Sequence, residues 1–86
     1  MRLRDLNPHR YNESVFAMDC PCGECGTRVR IYIGPRQEIS PQGKPIWKAT
    51  GEFPDAVTLE PSIMVTKNQA CRGWHGWIRE GDVVAV

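Results

Sequence analysis

Prolines and glycines break this chain into short segments, and their spacing constrains the fold more than any other feature of the sequence. Seven prolines and eight glycines are distributed along 86 residues. They recur about every ten residues, as turn residues do between the strands of sandwiches and barrels. No window repeats its apolar residues at the helical period, so the sequence predicts an all-β protein.

Several segments between these breaks have the alternating pattern of a β-strand. In residues 27–33, the side chains of Val29, Ile31 and Ile33 point to one side, while two arginines and a tyrosine point to the other. We therefore expect a small single-domain protein, folded as an antiparallel sandwich or an open barrel. The other predicted strands span residues 14–18, 46–49, 57–60 and 63–65, followed by a hairpin of residues 74–79 and 83–86 around Glu80 and Gly81.

The first residues of the chain differ from the remainder in their pattern. Residues 1–13 are polar with scattered leucines, which predicts an extended N-terminal arm. His9 lies in this arm and is expected to be exposed, without a role as a ligand. Residues 14–86 are predicted to form the folded unit, a zinc-binding β domain.

Composition and charge exclude several classes of protein. The chain carries 11 basic and 10 acidic side chains, so its formal net charge of +1 does not attract it to nucleic acid or to an anionic membrane. No apolar run approaches the length of about 20 residues that a membrane-spanning helix needs. The N-terminus lacks the apolar core of a secretory signal. We expect a cytoplasmic protein, in a compartment where disulfides rarely persist.

The cysteines are the strongest chemical signal in the sequence. Cys22 and Cys25 form a Cys-x-x-Cys knuckle, and Cys20 adds a thiol two residues earlier. Cys71 and His75 follow much later in the chain. A knuckle and a distant Cys/His pair together supply the tetrahedral ligand set that zinc prefers. The favoured ligands are Cys22, Cys25, Cys71 and His75, with Cys20 as the substitute, and the zinc ion would staple the small β fold.

Other uses of these cysteines agree less well with the sequence than a metal site does. Two disulfides would need an oxidising compartment, and a thioredoxin-like redox pair would need a helix where a strand is predicted. Residues 21–25 match half of the zinc nucleobase deaminase signature, but the chain has no His-x-Glu to supply the general acid. Because candidate ligands outnumber the positions around zinc, no open position for water is expected. The sequence therefore predicts a structural zinc ion and no enzyme.

The C-terminal strand carries two of the three tryptophans. Trp74 at its start suggests an exposed surface for a partner, whereas Trp77 is expected to fill the core. Together with nearby arginines, such a surface would stack nucleic acid bases if the residues shared one face. The candidate partner-binding residues are Trp74, Arg28, Arg30, Arg72 and Arg79.

The order of several short motifs resembles a known family. These motifs are CPCGECG at 20–26, VTLEPSI at 57–63, Cys71, HGWI at 75–78 and EGDVV at 80–84. They are similar to those of small zinc-binding-type proteins of unknown function from tailed phages and bacteria, over residues 15–85. Glu24 and Trp74 appear as insertions relative to that pattern. The resemblance implies a cysteine/histidine metal site and no activity.

We therefore predict a small phage-type accessory protein with a structural zinc ion that acts by binding a protein partner from the host or the phage. A nucleic-acid-binding module similar to a zinc ribbon is the alternative, and a zinc-dependent enzyme is the third hypothesis. Neither a membrane nor a small-molecule substrate is expected as a partner. The site of action would be the cytoplasm, that of the host if the protein is encoded by a phage.

Overall fold

The computed structural model describes residues 1–86 and contains strands, turns and one short 3-10 helix. Strands account for 48% of the residues and there is no α-helix, which confirms the all-β prediction. In chain order, the elements are the 3-10 helix Leu3–Leu6 and the strands β1 His9–Asn12, β2 Val15–Asp19, β3 Arg28–Gly34, β4 Glu38–Ile39, β5 Pro45–Thr50, β6 Thr58–Glu60, β7 Ile63–Val65, β8 Trp74–Arg79 and β9 Asp82–Ala85.

The strands form two sheets that enclose one core. The larger sheet has the order β1-β2-β3-β5-β4, with β6 also paired to β5. The smaller sheet has the order β7-β8-β9. All neighbouring strands are antiparallel except β3 and β5, which run parallel over a short contact between Ile33 and Trp47. Length and hydropathy rule out a membrane-spanning helix in this structure.

The alternating pattern of the sequence explains which face of each strand is buried. Phe16 and Met18 of β2 pair with Ile31 and Val29 of β3, so the apolar side chains of both strands lie on the same face. Both β2 side chains are fully buried. The core consists of Leu3, Leu6, Phe16, Met18, Ile31, Ile33, Val57, Leu59, Ile63, Ile78 and Val83.

The N-terminal segment is part of the folded unit, in contrast to the extended arm predicted for residues 1–13. The 3-10 helix buries Leu3 completely and leaves Leu6 only 6% exposed, because residues three apart lie on the same side of such a helix. The Arg2 guanidinium contacts the Asp82 carboxylate at 2.8 Å. The two leucines, which the sequence shows as scattered, therefore anchor the segment to the core.

A tight turn joins the last two strands and positions the smaller sheet. Glu80 and Gly81 both have positive φ angles, 47° and 78°, as a two-residue hairpin turn requires. A side chain at Gly81 would collide with the main chain at Asp55, so the turn also packs closely against a neighbouring loop. Strand β8, held in this hairpin, pairs on its other side with β7.

Candidate active site and cysteine cluster

Ser62 lies in the link between β6 and β7, where the chain passes from the larger sheet to the smaller one. Its carbonyl accepts a hydrogen bond of 3.2 Å from the indole nitrogen of Trp47 on β5. The next residue, Ile63, is 1% exposed and packs in the core. The main chain at Ser62 is therefore held from both sides, although the residue itself is half-buried.

The register of β7 against β8 brings the side chains of Ser62 and His75 together. Met64 pairs with His75, and both are exposed on the outer face of the smaller sheet. Ile63 points inward, so Ser62 before it points outward, diagonally across from His75. The Ser62 hydroxyl oxygen lies 3.0 Å from Nε2 of His75. We refer to Ser62 and His75 as the Ser–His pair.

The outer face of β8 continues from His75 with two further large side chains. The ring of Trp77 lies 6.1 Å from that of His75, tilted by 32°. The guanidinium of Arg79 lies 4.6 Å above the Trp77 ring. Trp77 and Pro61, the residue before Ser62, also line a cleft of about 450 Å³. The Ser–His pair therefore stands beside a recess large enough to take part of a peptide.

All four cysteines come together at one end of the molecule, in a group that we call the cysteine cluster. The Sγ atoms of Cys20, Cys22, Cys25 and Cys71 lie within 4.8 Å of one another. Cys71 is 3.7 Å from both Cys20 and Cys22, sulfur to sulfur. No disulfide joins them, and all except the half-buried Cys25 are buried. Four free thiols at this spacing can hold a metal ion.

Main-chain amides around the cysteine cluster favour the charged form of two thiols. The Glu24 amide donates to Cys22 Sγ at 3.5 Å, and the Gly73 amide donates to Cys71 Sγ at 3.3 Å. The first of these amides contributes to a lowered pKa at Cys22. At Cys71 the amide also acts to lower the pKa, but burial and the neighbouring thiols outweigh it, so the pKa is raised.

The remaining two thiols of the cysteine cluster differ strongly in acidity. Burial raises the pKa of Cys20 to about 12. Hydrogen bonds from the side chain and main chain of Thr27 lower the pKa of Cys25 to about 6. A thiol binds a metal as thiolate. The lowered pKa of Cys25 therefore favours metal binding near neutral pH, whereas Cys20 would lose its proton only when a bound cation stabilises the thiolate.

Trp74 connects the cysteine cluster to the strand that carries His75. Its indole packs against both the cysteine cluster and the main core. The same ring lies over Gly76, where an added Cβ atom would approach it to 2.6 Å. Only three residues lie between Cys71 and His75 along the chain. The cysteine cluster is therefore coupled through Trp74 to the start of β8.

The structure separates the five residues that the sequence proposed as metal ligands. The four cysteines form the cysteine cluster, whereas His75 is outside that group and its Nε2 contacts Ser62. His75 points to the outer face of β8, while Trp74 before it packs inward toward the cysteines. The alternation of a β-strand thus turns His75 away from the cysteine cluster.

Most of the candidate partner-binding residues contact other residues of the chain. Arg28 contacts the Asp19 carboxylate at 2.9 Å, and this contact lowers the pKa of Asp19. Arg30 stacks on Tyr11, while Arg72 donates to the Cys22 carbonyl at 3.2 Å. Trp74 and Arg79 point to opposite faces of β8.

The chain belongs to a family described as BubE, a bacterial ubiquitination-like system serine protease, whose model matches residues 4–86. No curated protein and no solved structure matches the chain at a significant level. The family description refers to a bacterial system. The phage origin implied by the sequence resemblance stays a prediction.

The family overturns the function predicted from the sequence. The predictions of a partner-binding accessory protein, of a nucleic-acid-binding module as its alternative, and of no enzyme are wrong, because the family is named as a serine protease. The chemistry predicted from the sequence involved thiols, imidazoles and carboxylates, and Ser62 had no role in it. Ser62 lies in LEPSI, which has no glycine-flanked serine of the kind that marks many hydrolase nucleophiles. Its proximity to His75 emerges only from the strand register.

Proposed function

We propose that this member of the BubE family is a serine peptidase in which Ser62 is the nucleophile and His75 is the general base. The observation that carries the proposal is the contact of 3.0 Å between the Ser62 hydroxyl and Nε2 of His75. A serine next to an imidazole is the arrangement by which acyl-transfer enzymes activate a hydroxyl. Following the family description, the substrate would be a peptide or isopeptide bond in a protein of a bacterial ubiquitination-like system.

The proton path follows from this contact. Nε2 of His75 takes the Ser62 proton as Oγ attacks the scissile carbonyl carbon. The resulting imidazolium returns a proton to the leaving amine when the carbon–nitrogen bond breaks, which leaves an acyl group on Ser62. Water then attacks the ester, gives a proton to Nε2 and releases the acid, and the Ser62 hydroxyl is restored.

The main chain supports both residues of the Ser–His pair. The Val86 amide donates a hydrogen bond of 2.9 Å to the His75 carbonyl, which holds β8 in register. The Ser62 amide makes no hydrogen bond within the chain. An amide on the nucleophilic residue is a common donor to the oxyanion of the tetrahedral intermediate. We assign this role to the Ser62 amide.

The cysteine cluster is proposed to hold a structural zinc ion. Four sulfurs bound tetrahedrally at 2.3 Å would stand about 3.8 Å apart, close to the 3.7 Å found for Cys71 with Cys20 and with Cys22. Because four thiolates complete the coordination of zinc, the ion would have no position for substrate. Its role would be to hold the loop before β8, and a reducing cytoplasm would keep the thiols available.

The peptidase assignment is tested with an alkyl fluorophosphonate, which labels an activated serine when Oγ displaces fluoride from phosphorus. We expect rapid labelling of the natural protein, mapped to Ser62 by mass spectrometry, and none of the variant Ser62→Ala. The matched control Ser14→Ala changes an exposed serine on another strand connection and should label at the natural rate. An unlabelled natural protein, or equal labelling of Ser62→Ala, would refute the assignment.

A further inference from the structure

Strand β7 is an edge strand that begins directly after the proposed nucleophile. It pairs with β8 on one side, and no strand pairs with its other side. Ser62 is the residue immediately before its first residue, Ile63. Any chain that paired with the free side of β7 would therefore pass next to the Ser–His pair.

The hydrogen-bonding pattern of β8 identifies which main-chain groups of β7 are free. The Val86 amide donates to the His75 carbonyl, so the main-chain groups of His75 point toward β9. Those of Gly76 then point toward β7, because successive residues of a strand point to opposite sides. Ile63, which pairs with Gly76, uses its groups to bond β8. The amide and carbonyl of Met64 therefore face outward, without a partner.

The opposite edge of the smaller sheet shows the same alternation, but there the edge is covered. The Val83 amide, which points away from β8, donates to the Met1 carbonyl at 2.7 Å. Arg2 forms a bridge with Asp82 at the same edge. The N-terminal segment thus closes the edge of β9, while the edge of β7 stays open.

The three residues of β7 include neither a proline nor a charged residue, two kinds of residue by which proteins discourage edge pairing. The strand reads Ile63-Met64-Val65. The Met64 side chain is 67% exposed and lies on the same face as Ser62. An open and uncharged edge beside a nucleophile is suited to a main chain in extended conformation.

We infer that an extended segment of the substrate adds to β7 as a fourth strand of the smaller sheet. The amide and carbonyl of Met64 would bond the substrate main chain and bring its scissile carbonyl to the Ser62 hydroxyl. The ligand class is an extended polypeptide recognised mainly through its main chain. This inference rests on the proposed peptidase function and adds to it the way in which the substrate is held.

The experiment uses a peptidyl phosphonate, an acetylated tetra-alanine with a diphenyl phosphonate at its C-terminus, which phosphonylates the nucleophilic serine with loss of phenol. Analogues carry one N-methylated alanine at each position in turn. We expect the labelling rate to fall about three- to tenfold at alternate positions, since each methyl group removes one hydrogen bond to Met64 or its neighbours. Equal rates at all positions, or a peptidyl probe no faster than an alkyl phosphonate, would overturn the inference.

The protein side of the experiment uses Met64→Pro, with Ile39→Ala, at an exposed apolar residue of β4, as the control. Proline is tolerated on an edge strand where the lost amide faces outward, so we expect Met64→Pro to fold. The ratio of its peptidyl phosphonate rate to its fluorophosphonate rate should fall at least about tenfold, while Ile39→Ala keeps both rates. An unchanged rate with the peptidyl phosphonate in Met64→Pro would overturn the inference. If that variant does not fold, the rates of the N-methylated probes with the natural protein decide between the two outcomes. If the fluorophosphonate does not label the natural protein, both the peptidase function and the inference that rests on it are refuted.

Discussion

The cysteine cluster and the Ser–His pair lie at the two ends of the short stretch 71–75, and they are built in opposite ways. The cysteine cluster is mostly buried, and amides on its own loops donate to its sulfurs. The Ser–His pair lies on the outer face of a sheet, where a diagonal contact between two strands forms it. Under the proposed function, the first region would contribute mainly to stability and the second mainly to chemistry, so substitutions in them should have separable effects.

The largest expected effect is the loss of the fold when the cysteine cluster is broken. Structural zinc contributes on the order of 10–16 kcal/mol in small peptides, whereas a domain has about 5–15 kcal/mol in total. Cys71→Ser should therefore abolish the cooperative thermal transition, as followed by circular dichroism, and reduce bound zinc. Arg72→Ala, which changes the exposed neighbour of Cys71, should retain both. A Cys71→Ser variant that melts within a few degrees of the natural protein would show that the cysteines do not staple the fold.

His75→Gln should remove activity without changing bound metal. Loss of a general base lowers rates about 10²- to 10⁴-fold, so fluorophosphonate labelling should slow by that factor. Zinc content, measured by elemental analysis, should remain at one ion per chain, because four cysteines suffice as ligands. His9→Gln is the control, since His9 lies on exposed strand β1. A loss of zinc from His75→Gln would return His75 to the ligand set predicted from the sequence.

Substitutions of the two tryptophans of β8 should separate the effect on stability from the effect on the labelling rate. Trp74→Ala removes an inward ring that packs on both the core and the cysteine cluster. We expect a destabilisation of about 3 kcal/mol in urea unfolding, at the low end for a large aromatic because the side chain is only half-buried. Trp77→Ala, on the outer face, should cost less stability and slow the peptidyl phosphonate reaction more. A larger loss of stability in Trp77→Ala than in Trp74→Ala, or a larger loss of labelling rate in Trp74→Ala, would contradict separate roles for the inner and outer faces of β8.

Arg79→Ala should have the smallest effect. Its guanidinium stacks on Trp77 at an exposed position, where such contacts contribute about 0.5–1 kcal/mol. The urea midpoint should shift by no more than this, and Arg79→Lys should shift it less because the cation remains. A loss above about 2 kcal/mol would show that the outer face of β8 supports the fold as well as the site.

The strands were predictable to a large extent because their signal is local. The apolar alternation of residues 27–33 appears as β3, and the segments at 57–60 and 63–65 appear as β6 and β7. Strand β1 was missed because all four of its residues are exposed and no alternation marks it. Strand β4 has only two residues, too few for a pattern. The 3-10 helix was missed because Leu3 and Leu6 make a signal of only two residues.

Of the candidate site, only the cysteines were predictable, because their spacing in the sequence is typical of metal ligands. A knuckle of two cysteines brings its own thiols together, so Cys22 and Cys25 were expected at one metal before any fold was known. Ser62 has no such local signal, since its partner His75 is thirteen residues away and on another strand. His75 was predicted to bind the metal because it is close to Cys71 in the sequence. In the folded protein, the alternation of β8 points the His75 side chain away from the cysteine cluster.

The amino-acid sequence was sufficient to predict an all-β domain with a group of cysteines that can hold a metal ion, because turn residues, alternation and ligand spacing act over a few neighbouring residues. The contact between Ser62 and His75 and the open edge of β7 emerged only from the folded molecule. Both depend on the register between β7 and β8, on a turn at Gly81 and on an N-terminal segment that covers β9 but not β7. These features depend on packing between distant parts of the chain, so no short stretch of the sequence predicts them.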